Sequence, residues 1–304
     1  MRQSFGLTAF QLKLIAVVAM TLDHVGAYCG DISWIAHYAS PLRVIGRIAM
    51  PVFLFLFVQS LRHTHSRPRL LLRLYLAGLL VELWDVAGVF FLGDFLGCRE
   101  TGNIFSTFLY VAILVELLEQ LWRWLKTRDR RTGLWVLALA AMVVVPVWLN
   151  GWIEARLLGP AHALGIRYLL LVLGLTDAFF PSLLYAEYTP IFLGLGVLLY
   201  FAKTKGLQCG VFALFCLACI GMLYYCYGHV DFYLSVRYLT VIVNETQCWM
   251  VLALPLLLLY NGQRGRPVKW FFYWYYPLHR TALYTAQALL GLRRSGQEVT
   301  PWIF

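Results

Sequence analysis

The residues of this chain best suited to chemistry are ionisable side chains set inside apolar segments. Asp23 and His24 lie toward the far end of the first hydrophobic segment, 10–29, FQLKLIAVVAMTLDHVGAYC, and Lys13 lies near its start. Burying an ionisable residue in a membrane helix is costly, so such a residue is paired, water-facing or functional. Histidine takes and returns a proton near neutral pH, which is what acyl transfer asks of its base. Lys13 precedes His24 by eleven residues. At ~100° and ~1.5 Å per residue the two return to nearly one helix face, ~16 Å apart. A cation low on that face and a base high on it suit a long, phosphate-bearing donor. Asp23 adjoins His24 but points ~100° away, so its expected partner is an arginine.

Further polar groups come from later segments. Arg43 and Arg47 are spaced i and i+4, and Glu82 and Asp85 i and i+3, so each pair shares a helix face. Asn103 and Thr107 open another apolar run, Glu187 and Tyr188 precede one, and His279 sits in the last beside Tyr276 and Pro277. Alternating the segments across a bilayer puts these groups at one depth, in the outer half. Glu82 or Asp85 is the expected orienter of the His24 ring. A bland reading stands beside this one: mutually neutralised pairs, such as Arg47 with Asp23 or Glu82, that only lock helices together. Arg67, Arg69 and Arg73 belong to a stretch dense in arginine, which either binds the phosphates of coenzyme A or only sets topology. His63 and His65 form an HxH without a third ligand, and Cys216 and Cys219 a lone CxxC in an apolar run. No metal site is expected from either. There is no GxSxG, P-loop or GxGxxG, so direct transfer with a histidine base is simpler than an acyl-enzyme on serine.

The elements that must position these residues are membrane helices. Of 304 residues 61% are hydrophobic and 13% charged, with a mean hydropathy of +0.70. A water-soluble surface needs far more charge. The net charge of +10 invites a nucleic-acid partner, but the basic residues sit between apolar runs, a topological pattern, and no nucleic acid is expected. The seven cysteines lie mostly in apolar runs and imply no disulfide framework. A span needs ~20 apolar residues. After 10–29 the candidates are 42–61, 70–92, 104–125, 133–149, 190–203, 208–228, 246–261 and 270–291, with 166–180 and 232–243 ambiguous, for about nine to eleven spans. The start is a full span with no cleavage site after it, so no signal peptide is expected.

Lys and Arg set the expected orientation. Arg62 to Arg73, Arg123 to Arg131, Lys203 with Lys205, and Arg264, Arg266 and Lys269 fall in alternate connections, while 29–41 has no basic loop residue and 93–103 only Arg99. The N-terminus is therefore expected in the cytoplasm, and with nine spans the C-terminus outside. The fold class expected is all-α, a polytopic transmembrane bundle forming one integral-membrane domain over 1–304, in the cell membrane.

Five stretches in this order, LKLIAVVAMTLDHVGA, LRVIGRIAMPVFLFLFVQSLRHT, LLRLYLAGLLVELWDVAG, GNIFSTF and YWYYPLHRTALY, give the chain a resemblance to the TraX family, named for conjugative pilin acetylation. They cover the first four spans and the last, while 135–189 matches weakly. The resemblance implies membrane-bound transfer of an acetyl group from acetyl-CoA, known for a pilin N-terminus. The family also resembles the wider transmembrane acyltransferases, in which a basic residue, ten residues and a histidine mark the first helix. Lys13 and His24 fit that spacing, and by that likeness His24 is the catalytic histidine. Tyr276 and His279 resemble an aromatic-rich helix carrying a histidine, and Arg67, Arg69 and Arg73 a cytoplasmic arginine cluster.

The expectation is an acetyltransferase with acetyl-CoA as donor and no metal. His24 is the base, and Arg47 with Arg43 holds developing charge or the acceptor. Asp23, Glu82 and Asp85 balance the arginines and orient His24, and His279 assists the acceptor or thioester. Lys13, Arg43, Arg67, Arg69 and Arg73 are the residues expected to hold the donor. The acceptor stays open among a pilin-like protein, an envelope glycan and a small amine. A transporter or flippase with a buried charged path, and a non-catalytic assembly subunit, are the alternatives.

Overall fold

The computed structural model of the protein describes residues 5–30, 33–92, 103–158, 166–184, 186, 188, 190–228, 245–267 and 269–289. The fold is all-α, a polytopic helical bundle, and among the described residues the only β pairing is an isolated parallel bridge between Leu7 and Tyr260. Five helices are long and apolar enough to cross a membrane: Ala9–Tyr28, Ile35–Arg62, Ile104–Thr127, Arg130–Arg156 and Lys205–Tyr225. Ile191–Phe201 and Trp249–Leu259 are shorter apolar helices. The expected span 232–243 lies outside the described residues. The chain divides into two compact units, 1–60 with 201–304, and 61–200.

In the first unit α1 (Ala9–Tyr28) opens on a capping box. The Gln11 backbone N–H donates to Thr8 Oγ1 at 3.3 Å and the Thr8 N–H donates back to Gln11 Oε1 at 2.9 Å, so two orphan donors of the first turn are satisfied together. α1 packs on α2 (Ser33–Gly46) and on the last helix, α12 (Lys269–Leu289). The stretch 29–41, expected as a loop, is helical from Ser33. The helix continues through Pro41, so Arg43 lies in the last turn of α2 and Arg47 just past its end, inside the candidate span Ile35–Arg62 rather than at its start.

The interruption falls between α2 and α3 (Ala49–Arg62), at Arg47 and Ile48. Pro51 is its cause: it has no N–H for the Arg47 carbonyl, and its ring crowds that turn. The backbone tightens there instead, with Arg47 and Ile48 bonding to Val44 and Ile45. Two glycines allow α1 and α2 to approach. A Cβ on Gly26 would meet the Ala39 carbonyl at 2.8 Å, and one on Gly46 would meet the Asp23 Cβ at 2.1 Å.

The rest of this unit is α9 (Lys205–Gly228), α10 (Glu245–Cys248), a 3-10 turn (Trp249–Ala253) and α11 (Leu254–Leu259). Gln59 of α3 donates to Gln208 of α9 at 2.7 Å. The Lys205 ammonium donates to the carbonyls of Leu258 and Tyr260, filling the orphan acceptors at the end of α11.

The second unit holds α4 (Arg67–Leu92), α5 (Ile104–Thr127), α6 (Arg130–Leu158), α7 (Ile166–Phe179) and α8 (Pro190–Phe201). α4 packs on α5 and α7, and α6 on α5 and α7. The α5–α6 turn is short: Arg128 takes the left-handed conformation (φ 53°) and Asp129 caps α6 by accepting from the Thr132 N–H at 2.9 Å. Within α6, Pro146 cannot donate to the Met142 carbonyl. The Tyr110 hydroxyl approaches that carbonyl at 3.4 Å. Leu134, Leu137, Val144 and Trp148 of α6 are exposed, as lipid-facing residues of a span are.

Candidate functional site

α1 and α12 run parallel in the first unit and meet at matched heights. The Thr21 hydroxyl lies 2.6 Å from the Tyr275 hydroxyl, and His24 Nδ1 lies 2.7 Å from His279 Nε2. The backbone just before both helices is stitched together: Ala9 N–H donates to the Gln263 carbonyl and Phe10 N–H to that of Arg264. Both helices thus start at one end of the unit, next to Arg264, Arg266 and Lys269.

The two histidine rings are buried, 7% and 8% exposed. Their planes differ by 4°, with centroids 4.9 Å apart and facing nitrogens 2.7 Å apart. They therefore meet edge to edge along an N–H···N hydrogen bond rather than face on face. His279 Nδ1 donates to the Tyr275 carbonyl at 2.7 Å, one turn earlier on its own helix. Tyr28 stands 5.4 Å from the His24 ring, and the Tyr275 ring lies nearly parallel to that of His279 at 5.0 Å.

Asp23 turns away from His24 to the Arg47 guanidinium, which it pairs with through Oδ1 and Nη2. The side chains are 16% and 12% exposed, so this pair is largely withdrawn from water. Arg47 also donates to Gln247 Oε1 at 3.0 Å and to the Arg43 carbonyl at 3.2 Å. Arg43 is half-buried on α2. Lys13 places its ammonium 5.3 Å from the centre of the Phe272 ring on α12, a cation–π contact.

The remaining expected residues belong to the second unit. Glu82, 2% exposed, accepts from Asn103 Nδ2 at 2.8 Å, and Asn103 in turn caps α5 by accepting from the Ser106 N–H at 3.0 Å. Asp85 is half-buried on α4. Glu82 and Asp85 were the expected orienters of His24, whereas within the first unit the partner of His24 is His279. Thr107 accepts from the Tyr188 N–H at 3.4 Å, and Glu187 lies outside the described residues.

The expected donor-binding arginines divide. Arg67 faces Glu116 at 3.9 Å and Glu119 at 3.7 Å, and donates to the Tyr200 hydroxyl at 2.7 Å. Tyr200 passes its own proton to Glu119 at 2.6 Å. Arg67 is thus already neutralised, while Arg69 and Arg73 on α4 are exposed. Arg62 donates to the carbonyls of Leu199 and Tyr200, capping the end of α8.

Several groups beside the site were not singled out from the sequence. Gln247 lies in a short polar interruption, NETQ, and only its contact with Arg47 marks it. Thr21 and Tyr275 carry no charge to draw notice. Arg280 did leave a signal, a charge inside an apolar run; it is 3% exposed, with its guanidinium 5.4 Å from the Tyr276 ring. Among the described residues no three His, Cys, Asp or Glu side chains come together as metal ligands.

Comparison with known proteins adds to this geometry. The profile of the family described as TraX protein matches residues 9–168, which includes α1 and His24 and stops before α12 and His279. A probable fimbrial assembly protein, FimC of serogroup H1, from Dichelobacter nodosus is 32% identical over 123 residues, 39% of this chain and 49% of that protein. An uncharacterized protein, RP591, from Rickettsia prowazekii (strain Madrid E) is 50% identical over 44 residues, 14% of this chain and 15% of that protein. The chain spans half or less of the length of these curated relatives. No solved structure matches. The profile match covers more than half of the sequence, and the chain belongs to the TraX family.

Proposed function

We propose that this chain is a membrane-bound acyltransferase that moves an acetyl group from acetyl-CoA to an amine or hydroxyl acceptor. The observation that carries the reading is the buried contact between His24 and His279 at 2.7 Å, a titratable pair set between α1 and α12. Burying two imidazoles costs free energy that a purely structural role does not return. Membership of a family linked to pilin acetylation supports the same reaction.

In this reading His24 takes a proton from the acceptor nitrogen or oxygen as that atom attacks the thioester carbonyl. The tetrahedral intermediate then expels the coenzyme A thiolate, the C–S bond breaks, and the proton returns from His24 to sulfur. Arg47, steadied by Asp23 and Gln247, and Arg43 beside it are the donors proposed for the developing oxyanion or the acceptor. Lys13 is proposed for the phosphates of coenzyme A. Arg67 is assigned to its carboxylates instead, and Glu82 to Asn103. The chain is read as one acyltransferase over 1–304, set in the cell membrane with its N-terminus in the cytoplasm. The printed name of the Dichelobacter nodosus relative, a probable fimbrial assembly protein, favours a pilin-like acceptor over an envelope glycan or a small amine.

The test is binding and slow hydrolysis of labelled acetyl-CoA by purified protein in detergent, wild type beside His24→Ala. Saturable binding with hydrolysis lost in the variant supports the reading. No saturable binding overturns it in favour of a transporter or flippase, which predicts flux without acetylation.

A further inference from the structure

With both rings neutral, the hydrogen bonds around His24 fix which of its ring nitrogens is bare. A carbonyl oxygen only accepts, so His279 Nδ1, 2.7 Å from the Tyr275 carbonyl, carries a proton. A neutral imidazole has one N–H, which leaves His279 Nε2 as an acceptor. The atom 2.7 Å from it is His24 Nδ1, and it must donate. The neutral His24 ring then holds its proton on Nδ1 and its lone pair on Nε2. Among the described residues the hydrogen bond on His24 is the one at Nδ1. Two imidazolium rings in this contact would set N–H against N–H, so at most one of the pair is charged.

The same accounting shows how His279 is held. The Thr21 hydroxyl gives its proton to the Val17 carbonyl at 2.8 Å. Its contact with Tyr275 at 2.6 Å is therefore made by the tyrosine O–H as donor. Tyr275 is pinned to α1 through its hydroxyl and holds His279 through its carbonyl, and its ring lies 5.0 Å from that of His279. Rotation of α12 against α1 would break both contacts together.

We propose that His279 is a positioning residue that keeps His24 in the Nδ1–H tautomer, so that Nε2 is the nitrogen that accepts the acceptor's proton. The role rests on His24 being the base of the proposed acyl transfer, while the tautomer does not. The proton taken at Nε2 is the one returned to sulfur, and the Nδ1 proton stays between the two rings. As His24 becomes cationic, its Nδ1–H bond to His279 becomes charge-assisted and stronger, which favours the charged state formed during transfer.

The experiment is 15N spectroscopy of histidine-labelled full-length protein in detergent at about pH 8.5, above the ordinary imidazole range. The chain has seven histidines, and His24→Gln and His279→Gln assign the two of interest. The expected spectrum has His24 protonated at Nδ1 and bare at Nε2. A His24 ring protonated at Nε2 overturns the proposal outright. Turnover of acetyl-CoA then tests the role: His279→Ala is expected to fall about 100-fold or more with acetyl-CoA affinity held within about threefold. His279→Gln, whose carbonyl can accept from Nδ1 in place of the imidazole, is expected to recover to within about tenfold of wild type. Equal loss in both variants, with the fold intact by melting temperature, overturns positioning by hydrogen bonding. If His279→Ala does not fold, the wild-type spectrum and the Gln variant still decide. Absence of acetyl-CoA binding by the wild type removes the acyltransferase reading while leaving the tautomer to the spectrum.

Discussion

Both units bury charge, but they do different things with it. In the second unit three described polar groups meet partners that structure alone requires. Arg67 lies between Glu116, Glu119 and Tyr200, Arg62 covers carbonyls at the end of α8, and Glu82 meets Asn103, which caps α5. In the first unit Asp23 and Arg47 neutralise each other, yet beside Asp23 two imidazoles are joined to one another, and His279 to the Tyr275 carbonyl. Removing charge from water explains the first pattern. It does not explain the second, where the buried groups are the ones able to move a proton. Buried polarity is therefore a poor guide to a site unless the protonation chemistry of the partners is followed atom by atom.

The largest effect that would sharpen this contrast is on turnover. His24→Ala is expected to lower acetyl-CoA turnover by about 10²–10⁴-fold, whereas Glu82→Gln, which keeps an acceptor for Asn103, is expected to leave it within about threefold. Single-turnover measurement with labelled acetyl-CoA checks both, and a large loss in Glu82→Gln would show that the second unit takes part in the chemistry.

Stability gives the next test. Asp23→Ala removes the carboxylate that balances the buried Arg47 and is expected to cost about 3 kcal/mol, the lower end for breaking a buried ion pair. Glu116→Ala leaves Arg67 with Glu119 and Tyr200 and is expected to cost only about 1 kcal/mol. Melting in detergent compares them, and equal losses would erase the distinction between the units.

Gly46→Ala should come next. Its Cβ would fall 2.1 Å from that of Asp23, so α1 and α2 must separate, at about 2 kcal/mol, and the Asp23–Arg47 pair should weaken with them. A melting temperature unchanged from wild type would mean that the approach of α1 and α2 is not set at this glycine.

The smallest expected effect lies at Asp129, outside the spans. The Thr132 N–H and hydroxyl hold its carboxyl below the usual carboxylate range. A carboxylate depressed in the folded state adds stability above its unfolded pKa and loses it as pH falls through the folded one. Asp129→Ala should therefore lower the melting point slightly at neutral pH and not in acid below the folded pKa, which flattens the acid-side slope. A large loss at neutral pH would mean that the α5–α6 turn depends on this cap far more than an exposed position allows.

Much of the helix framework was legible because its signals are local. Runs of apolar residues near span length place α1, α4, α5, α9 and α12 within a few residues, whereas α6 runs nine residues past the expected end at 149. The stretch 29–41, expected as the connection between the spans 10–29 and 42–61, is helical from Ser33 through Pro41. The true interruption came later, ahead of Pro51. Arg69 and Arg67 looked alike in sequence, yet one is exposed and the other meets two glutamates from α5.

The sequence by itself determined that this is a helical membrane protein. It also determined that Lys13 and His24 share one face of the first helix and that Asp23 does not share it with His24. Those properties follow from hydrophobicity and the 3.6-residue repeat, which need no neighbour. Only the tertiary structure decided that, within the first unit, His24 meets His279 and Asp23 chooses Arg47. Every such pairing joins residues far apart in sequence, and periodicity sets which face of a helix is polar but not which helix that face will meet.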